Sequence, residues 1–311
     1  MGAITSRLRR ARNRSAALLR ALAVVSPIAI AGCRYDSVFT PVGPVGDAER
    51  IIILDSVAIM LAIVVPTILA TVAVAWWFRA SNRRAKRDPN FVYSGRIELV
   101  VWSIPALTIL FLGGLTWISS HDLDPAKPLK SAVQPLDVQV VAMDWKWLFI
   151  YPDQGVATIN QLVAPVGTPL RMHLTSATVM NTLFAPEVGS QIYVMNGMNG
   201  TMWWQVDRPG SYLGHSNMFS GDGFPGMSFE VKAIPPAQFA AWVGSTRGQG
   251  PVLDEAAYRQ LLKQSSDLKP YAYGSVTPGL YDDIVRQKLP PGTGPVEAGN
   301  KNPFVRPVRS P

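Results

Sequence analysis

Two stretches without a single charged side chain, residues 57–78 and 99–118, limit what this chain can fold into more than any other feature. Each is long enough to cross roughly 30 Å of hydrocarbon at about 1.5 Å per helical residue. A core helix of that length in a soluble protein carries a polar face, and neither stretch has one. The pattern predicts a two-helix transmembrane hairpin. Pro66 and Pro105 fall inside the spans, where backbone groups freed by a proline can be re-satisfied by neighbouring helices. Between the spans lie Arg79, Arg83, Arg84, Lys86, Arg87 and Arg96. Short basic loops are retained in the cytoplasm, so both ends of the hairpin are expected to face outward. Trp76, Trp77, Trp102 and Trp117 sit near the span ends, where amphipathic rings suit the headgroup region.

The formal net charge of +8 does not argue for a nucleic-acid partner. Residues 1–32 hold six arginines and no acid, which leaves +2 from Cys33 onward, and the basic loop accounts for more than that excess. Charge gathers at a membrane boundary, and the partner it implies is the lipid bilayer. Cys33 is the sole cysteine, so the chain can form no internal disulfide and no thiolate cluster. His121, His173 and His215 are too scattered to suggest a metal cage. Copper, zinc and iron-sulfur sites are therefore not expected in this chain.

The first 32 residues read as an export signal. Arg7, Arg9, Arg10, Arg12 and Arg14 precede a short apolar run over residues 21–31. The run ends Ile30-Ala31-Gly32-Cys33, close to the bacterial lipoprotein box in which the cysteine thiol is linked to diacylglycerol and becomes the first mature residue. A chance cysteine after an ordinary signal or an extra anchor helix is the alternative. Glu98, at the cytoplasmic start of the second span, also has two readings. It is an interfacial carboxylate well placed near the positive end of a helix dipole, or an intramembrane carboxylate with a function. The residues alone favour the first, and Asp55 at the opposite face of the membrane is read the same way.

After the anchored segment and hairpin, residues 33–125, the pattern changes to short alternating runs broken by Gly, Pro and Asn-Gly pairs. Over residues 126–234 this predicts an antiparallel β-sandwich or barrel. Leu170, Met172 and Leu174 alternate with Arg171, His173 and Thr175; Met227, Phe229, Val231 and Ala233 alternate with Ser228, Glu230 and Lys232. His173 is thereby placed on an outward face. The run Trp145-Lys146-Trp147-Leu148-Phe149-Ile150-Tyr151 reads as sheet core with one face on a neighbour, in preference to an electron path, and the ten methionines read as packing. Residues 235–289 form a partly helical extension, with Asp254 as N-cap of a helix over 255–264. Residues 290–311, rich in Pro, Gly and Asn, read as a disordered tail.

Several stretches resemble subunit II of the haem-copper respiratory oxidases, in the cytochrome bo-type ubiquinol oxidase branch. They are Trp76-Trp77-Phe78-Arg79-Ala80-Ser81-Asn82, Glu98-Leu99-Val100-Val101-Trp102, and Met143-Asp144-Trp145-Lys146-Trp147-Leu148-Phe149-Ile150-Tyr151-Pro152. Val179-Met180-Asn181-Thr182-Leu183-Phe184-Ala185-Pro186 and Gly189-Ser190-Gln191-Ile192-Tyr193 continue the likeness. The resemblance implies a membrane α plus β protein: the transmembrane hairpin followed by an extracytoplasmic cupredoxin-like β-sandwich.

In the cytochrome c oxidase branch, that sandwich holds a binuclear copper centre. Carried onto this chain, its histidines fall on Asn181 and Phe224, its bridging cysteines on Ser216 and Ser220, its carbonyl donor on Met218 and its methionine on Met227. Only Met227 keeps its ligand type, so the metal site is expected to be lost. The resemblance further implies that haems, copper and ubiquinol belong to oxidase subunit I, and that subunit I and the smaller subunits are the partners. It raises Glu98 to a proton-path candidate, and it makes Trp145, Trp147, Phe149 and Tyr151 candidates for partner contact. A cytochrome c oxidase subunit II and a lipid-anchored cupredoxin-like binding or assembly protein are the competing functions.

Overall fold

The computed structural model describes residues 38–86, 88–292 and 294. The expected signal peptide, Cys33 and most of the expected tail lie outside them. Helix α1 spans Pro44–Trp77 and α2 spans Gly95–Asp122. Both are long and apolar enough to cross a membrane. They pack on each other, while Leu69, Val72, Leu99, Trp102 and Ile109 remain exposed. The hydroxyls of Thr71 and Thr108 donate to the carbonyls of Thr67 and Ile104, each at 2.7 Å, so neither needs water inside an apolar layer.

Helix α1 starts against the β-domain. Val42 donates its N–H to the Glu187 carbonyl at 2.8 Å and accepts from Asp207 N–H at 2.7 Å, as a strand would. Gly43 comes so close to the next segment that a Cβ there would lie 1.9 Å from the Gln205 carbonyl oxygen. Val42 and Val45 are buried, and Ser190 donates to Glu49 at 2.8 Å. At the other end of the hairpin, Trp203 donates to the carbonyl of Pro125 at 2.9 Å.

The domain beyond α2 is a two-sheet sandwich. In chain order its strands are β1 Leu136–Met143, β2 Lys146–Tyr151, β3 Val156–Ile159, β4 Gln161–Pro165, β5 Leu170–Ser176, β6 Asn181–Ala185, β7 Gly189–Val194, β8 Gly200–Trp204, β9 Gly210–His215 and β10 Ser228–Ile234. They are followed by α3 Pro236–Thr246, β11 Val252–Leu253, α4 Glu255–Leu261, β12 Tyr271–Tyr273, β13 Ser275–Val276 and α5 Leu280–Val285. One sheet runs β12-β3-β2-β1-β5-β8 and the other β4-β10-β9-β6-β7. The fold is thus a membrane hairpin with a cupredoxin-like β-sandwich.

The strand pattern is mixed, which corrects the expected antiparallel one. β1 pairs parallel with β5, and β4 parallel with β10. Side-chain alternation reveals which face a strand buries, whereas the direction of its neighbour depends on crossovers that alternation does not record. Alternation itself holds except at Thr175, which was expected outward and is buried. Leu170, Met172 and Leu174 are buried while Arg171 and His173 are half-exposed, with Arg171 paired to Asp137 across β1–β5. Asp254 caps α4, accepting from Ala257 N–H at 2.8 Å, although that helix ends at Leu261 and not at Gln264.

The extension continues the sandwich, since β12 pairs antiparallel with β3. Two apolar cores result. One lies between the sheets and includes Trp147, Phe149, Tyr151, Trp204 and Phe229. The other lies between the first sheet and the extension, with Leu148, Ile150, Tyr258, Tyr273 and Tyr281. Strand β2 is therefore buried on both faces. Trp147, Phe149 and Tyr151 have no exposed surface and Trp145 only 9%. This overturns the expectation that these four present a partner-contact surface: they are interior packing, and Trp147, Phe149 and Tyr151 are held by edge-on and tilted contacts to Phe229, Phe239 and Trp242.

Candidate functional site

The turn chemistry between β9 and β10 brings the candidate residues of residues 214–227 beside the start of β6. Asn181 is buried as the first residue of β6, and Ser216 follows β9 immediately. The Ser216 hydroxyl donates to Asn181 Oδ1 at 3.2 Å and accepts from the N–H groups of Thr182 and Met218, each at 3.3 Å. Ser216 N–H also reaches the Met227 carbonyl at 3.4 Å. Ser220 directs its hydroxyl at the Met227 sulfur, 3.9 Å away, and both are buried. Phe224 is half-buried, stacked edge-on against Phe219 at 5.7 Å between ring centres. Phe219 itself is 71% exposed at the rim.

All six positions that the copper-loop pattern selects are therefore gathered at one end of the sandwich. Their polar atoms are spent on one another: hydroxyl to amide oxygen, backbone N–H to hydroxyl, hydroxyl to thioether. Trp145 closes the arrangement from below. It occupies left-handed backbone at φ 63°, and its indole N–H donates to the Ser220 carbonyl at 2.9 Å. The indole lies against Gly223, where a Cβ would come within 2.2 Å of the ring. Among the described residues, no three His, Cys, Asp or Glu side chains converge as metal ligands would.

Glu98 is remote from this loop. It lies exposed in the first turn of α2, in a shallow groove with Tyr93, Trp102 and Ser103. The sandwich meets the other end of that helix, about 36 Å away at 1.5 Å per residue.

Sequence reasoning overlooked Lys146 and Asn160. Lys146 is fully buried, and its ammonium donates to the Lys263 carbonyl at 2.7 Å and the Ser265 hydroxyl at 2.5 Å. Burial lowers its pKa to about 8, against the opposing influence of the Asp144 carboxylate. Asn160, at φ 54°, accepts from Trp147 N–H at 2.8 Å and donates to the Leu268 carbonyl at 3.0 Å. The available signal was a single lysine inside an otherwise apolar run, since a buried ammonium requires oxygen partners.

The extension carries a recognised motif of its own. Residues 247–292 match the family model described as the COX Aromatic Rich Motif. Over most of its length the chain is also similar to proteins of known type. It is 44% identical over 262 residues to ubiquinol oxidase subunit 2 of Acetobacter aceti, covering 84% of this chain and 85% of that one. With cytochrome bo(3) ubiquinol oxidase subunit 2 of Pseudomonas aeruginosa it shares 41% identity over 269 residues, or 86% and 81% of the two chains. Quinol oxidase subunit 2 of Bacillus cereus is 30% identical over 236 residues, covering 75% and 81%.

Proposed function

The chain belongs to the ubiquinol oxidase subunit 2 family, and on that premise we propose that it serves as subunit II of a proton-pumping haem-copper ubiquinol oxidase, without a binuclear copper centre of its own. The observation that carries the second half of this reading is the donor set at the end of the sandwich. A bridging copper pair requires soft thiolates; a serine hydroxyl stays protonated near neutral pH, and phenylalanine offers no lone pair. Ser216 and Asn181 already satisfy one another, and Met227 is the one position of the six whose side chain keeps the ligand type that the pattern requires. These residues do not fit the centre.

Electrons in such a complex reach the haems and the remaining copper of subunit I from ubiquinol, and this chain takes no part in that transfer. Its roles are structural and protonic. The hairpin packs in the bilayer against subunit I, the smaller subunits complete the assembly, and the sandwich of residues 126–234 with its extension of residues 235–289 caps the outer face. Glu98, exposed in the first turn of α2 beside the basic connection, is the carboxylate we assign to proton uptake from the cytoplasm. Cys33 is assigned to a lipid anchor on the outer surface.

The decisive experiment compares oxygen consumption by the purified complex supplied with ubiquinol or with reduced cytochrome c, together with copper analysis of this subunit. Ubiquinol is expected to sustain turnover. Activity with cytochrome c alone, or a copper-thiolate absorption from this chain, would overturn the reading.

A further inference from the structure

The segment between α4 and β12 is held at several points by hydrogen bonds and meets the loop of residues 214–227 at Gly226. Lys146 holds the carbonyl of Lys263 and the hydroxyl of Ser265. Gln264 donates to the Gly294 carbonyl at 2.8 Å, and Gly292 donates to Ala177 at 3.0 Å, beside the strand that leads to Asn181. Asn160 holds the carbonyl of Leu268. Between these pegs, Asp267 takes left-handed backbone at φ 55° and sets its carboxylate against Gly226, one residue before Met227. A Cβ on Gly226 would lie 2.5 Å from Asp267 Oδ1.

An aspartate in left-handed backbone is costly relative to glycine, and a buried ammonium is costly relative to an apolar side chain. The aspartate lies within residues 263–268 against Gly226, and the ammonium, on β2 beside Trp145, holds those same residues. We propose that residues 263–268 form an intramolecular strap that fixes the loop of residues 214–227, with Lys146 and Asn160 as its pegs and the Asp267–Gly226 contact as its point of pressure. The strap does by buried hydrogen bonds and close packing what ligation does in a metal-bound loop: it restricts the loop to one shape. It acts on the loop whatever the loop binds, so it stands apart from the functional reading above. Releasing the strap frees the rim that carries Phe219.

Hydrogen exchange followed by mass spectrometry on the intact purified complex tests this. In Gly226→Ala the new methyl displaces Asp267, and exchange should rise about tenfold both in residues 263–268 and in residues 217–227. Asp267→Gly suits the positive φ and removes the obstructing carboxylate. The double variant should therefore return to within about twofold of the wild-type rates, the signature of two groups in direct contact. Lys146→Met, which removes a peg without touching the loop, should raise exchange in the same two segments while β1 stays protected. Wild-type exchange in the strap of Gly226→Ala, no recovery in the double variant, or loosening in Lys146→Met that spares the loop would each overturn the proposal. If Gly226→Ala does not assemble, assembly of the double variant supports the strap and its failure refutes it.

Discussion

Tyr151 joins the two sheets through a single oxygen, and its removal has a calculable cost. From β2 in one sheet, its hydroxyl donates to the Val163 carbonyl at 3.0 Å and accepts from the Val163 N–H at 2.7 Å. Val163 lies on β4, an edge strand of the other sheet, so the phenol stands where the next strand would be. Burial pushes the phenol pKa upward, which keeps it a neutral donor across the physiological range. Tyr151→Phe preserves the ring and its edge-on contact with Trp242 at 5.4 Å. It leaves a donor and an acceptor of the buried backbone unpaired, at about 1–3 kcal/mol each, so about 3 kcal/mol is a moderate expectation. For a domain of this size that corresponds to a fall in melting midpoint of roughly 6–12 °C. Thermal unfolding of the purified complex, read by tryptophan fluorescence, gives the midpoint, and hydrogen exchange over residues 161–165 localises the loss. A midpoint unchanged within about 2 °C, with β4 amides as protected as before, would refute the reasoning that Tyr151 acts as a surrogate strand.

Lys146 predicts a pH dependence. Its pKa of about 8 in the fold lies below the ordinary 10.5, so between those values the unfolded chain holds more protons and the fold gains stability as pH rises. Relative to Lys146→Met, the wild type should gain about 1 kcal/mol between pH 7.5 and 10 after allowance for solvent screening, read from melting curves; a constant difference would contradict this. Glu98→Gln should slow oxygen turnover and lower proton pumping in reconstituted vesicles, and wild-type values across pH would remove Glu98 from the proton path. Cys33→Ser should abolish the lipid-derived mass of the mature chain while leaving the complex membrane-bound, because two spans anchor far more strongly than one acyl group; loss from the membrane would contradict the hairpin.

What the sequence disclosed was the part of the structure written in periodicity and in local chemistry. Two uncharged runs announced α1 and α2, alternation in β5 and β10 assigned the inward residues, and Asp254 marked a helix start that its side chain does cap. Spacing picked out Ser216, Ser220, Phe224 and Met227 in the loop of residues 214–227, whereas Asn181 and Met218 were added by the family resemblance. The parallel pairs were hidden, since strand direction is decided by partners remote in sequence. The role of the aromatic run was misjudged for a related reason. Its odd-numbered residues face the opposite sheet and its even-numbered ones face the extension, and only the docking of the extension makes the second face interior. Lys146 was passed over because the meaning of a buried cation rests with the carbonyl it meets, which lies more than a hundred residues away.

The seating of α1 in the β-domain has a mechanical consequence. With Val42 bonded on both sides and Gly43 pressed to the Gln205 carbonyl, the helix leaves the domain as a mast leaves its step, without a swivel. Its 34 residues make a spar of about 51 Å, so a tilt of only about 5° at the base would carry the far tip about 4 Å. Whatever seats the domain on the outer face therefore also aims the helix into the bilayer, at least as far as Pro66, where the proline interrupts the backbone ladder.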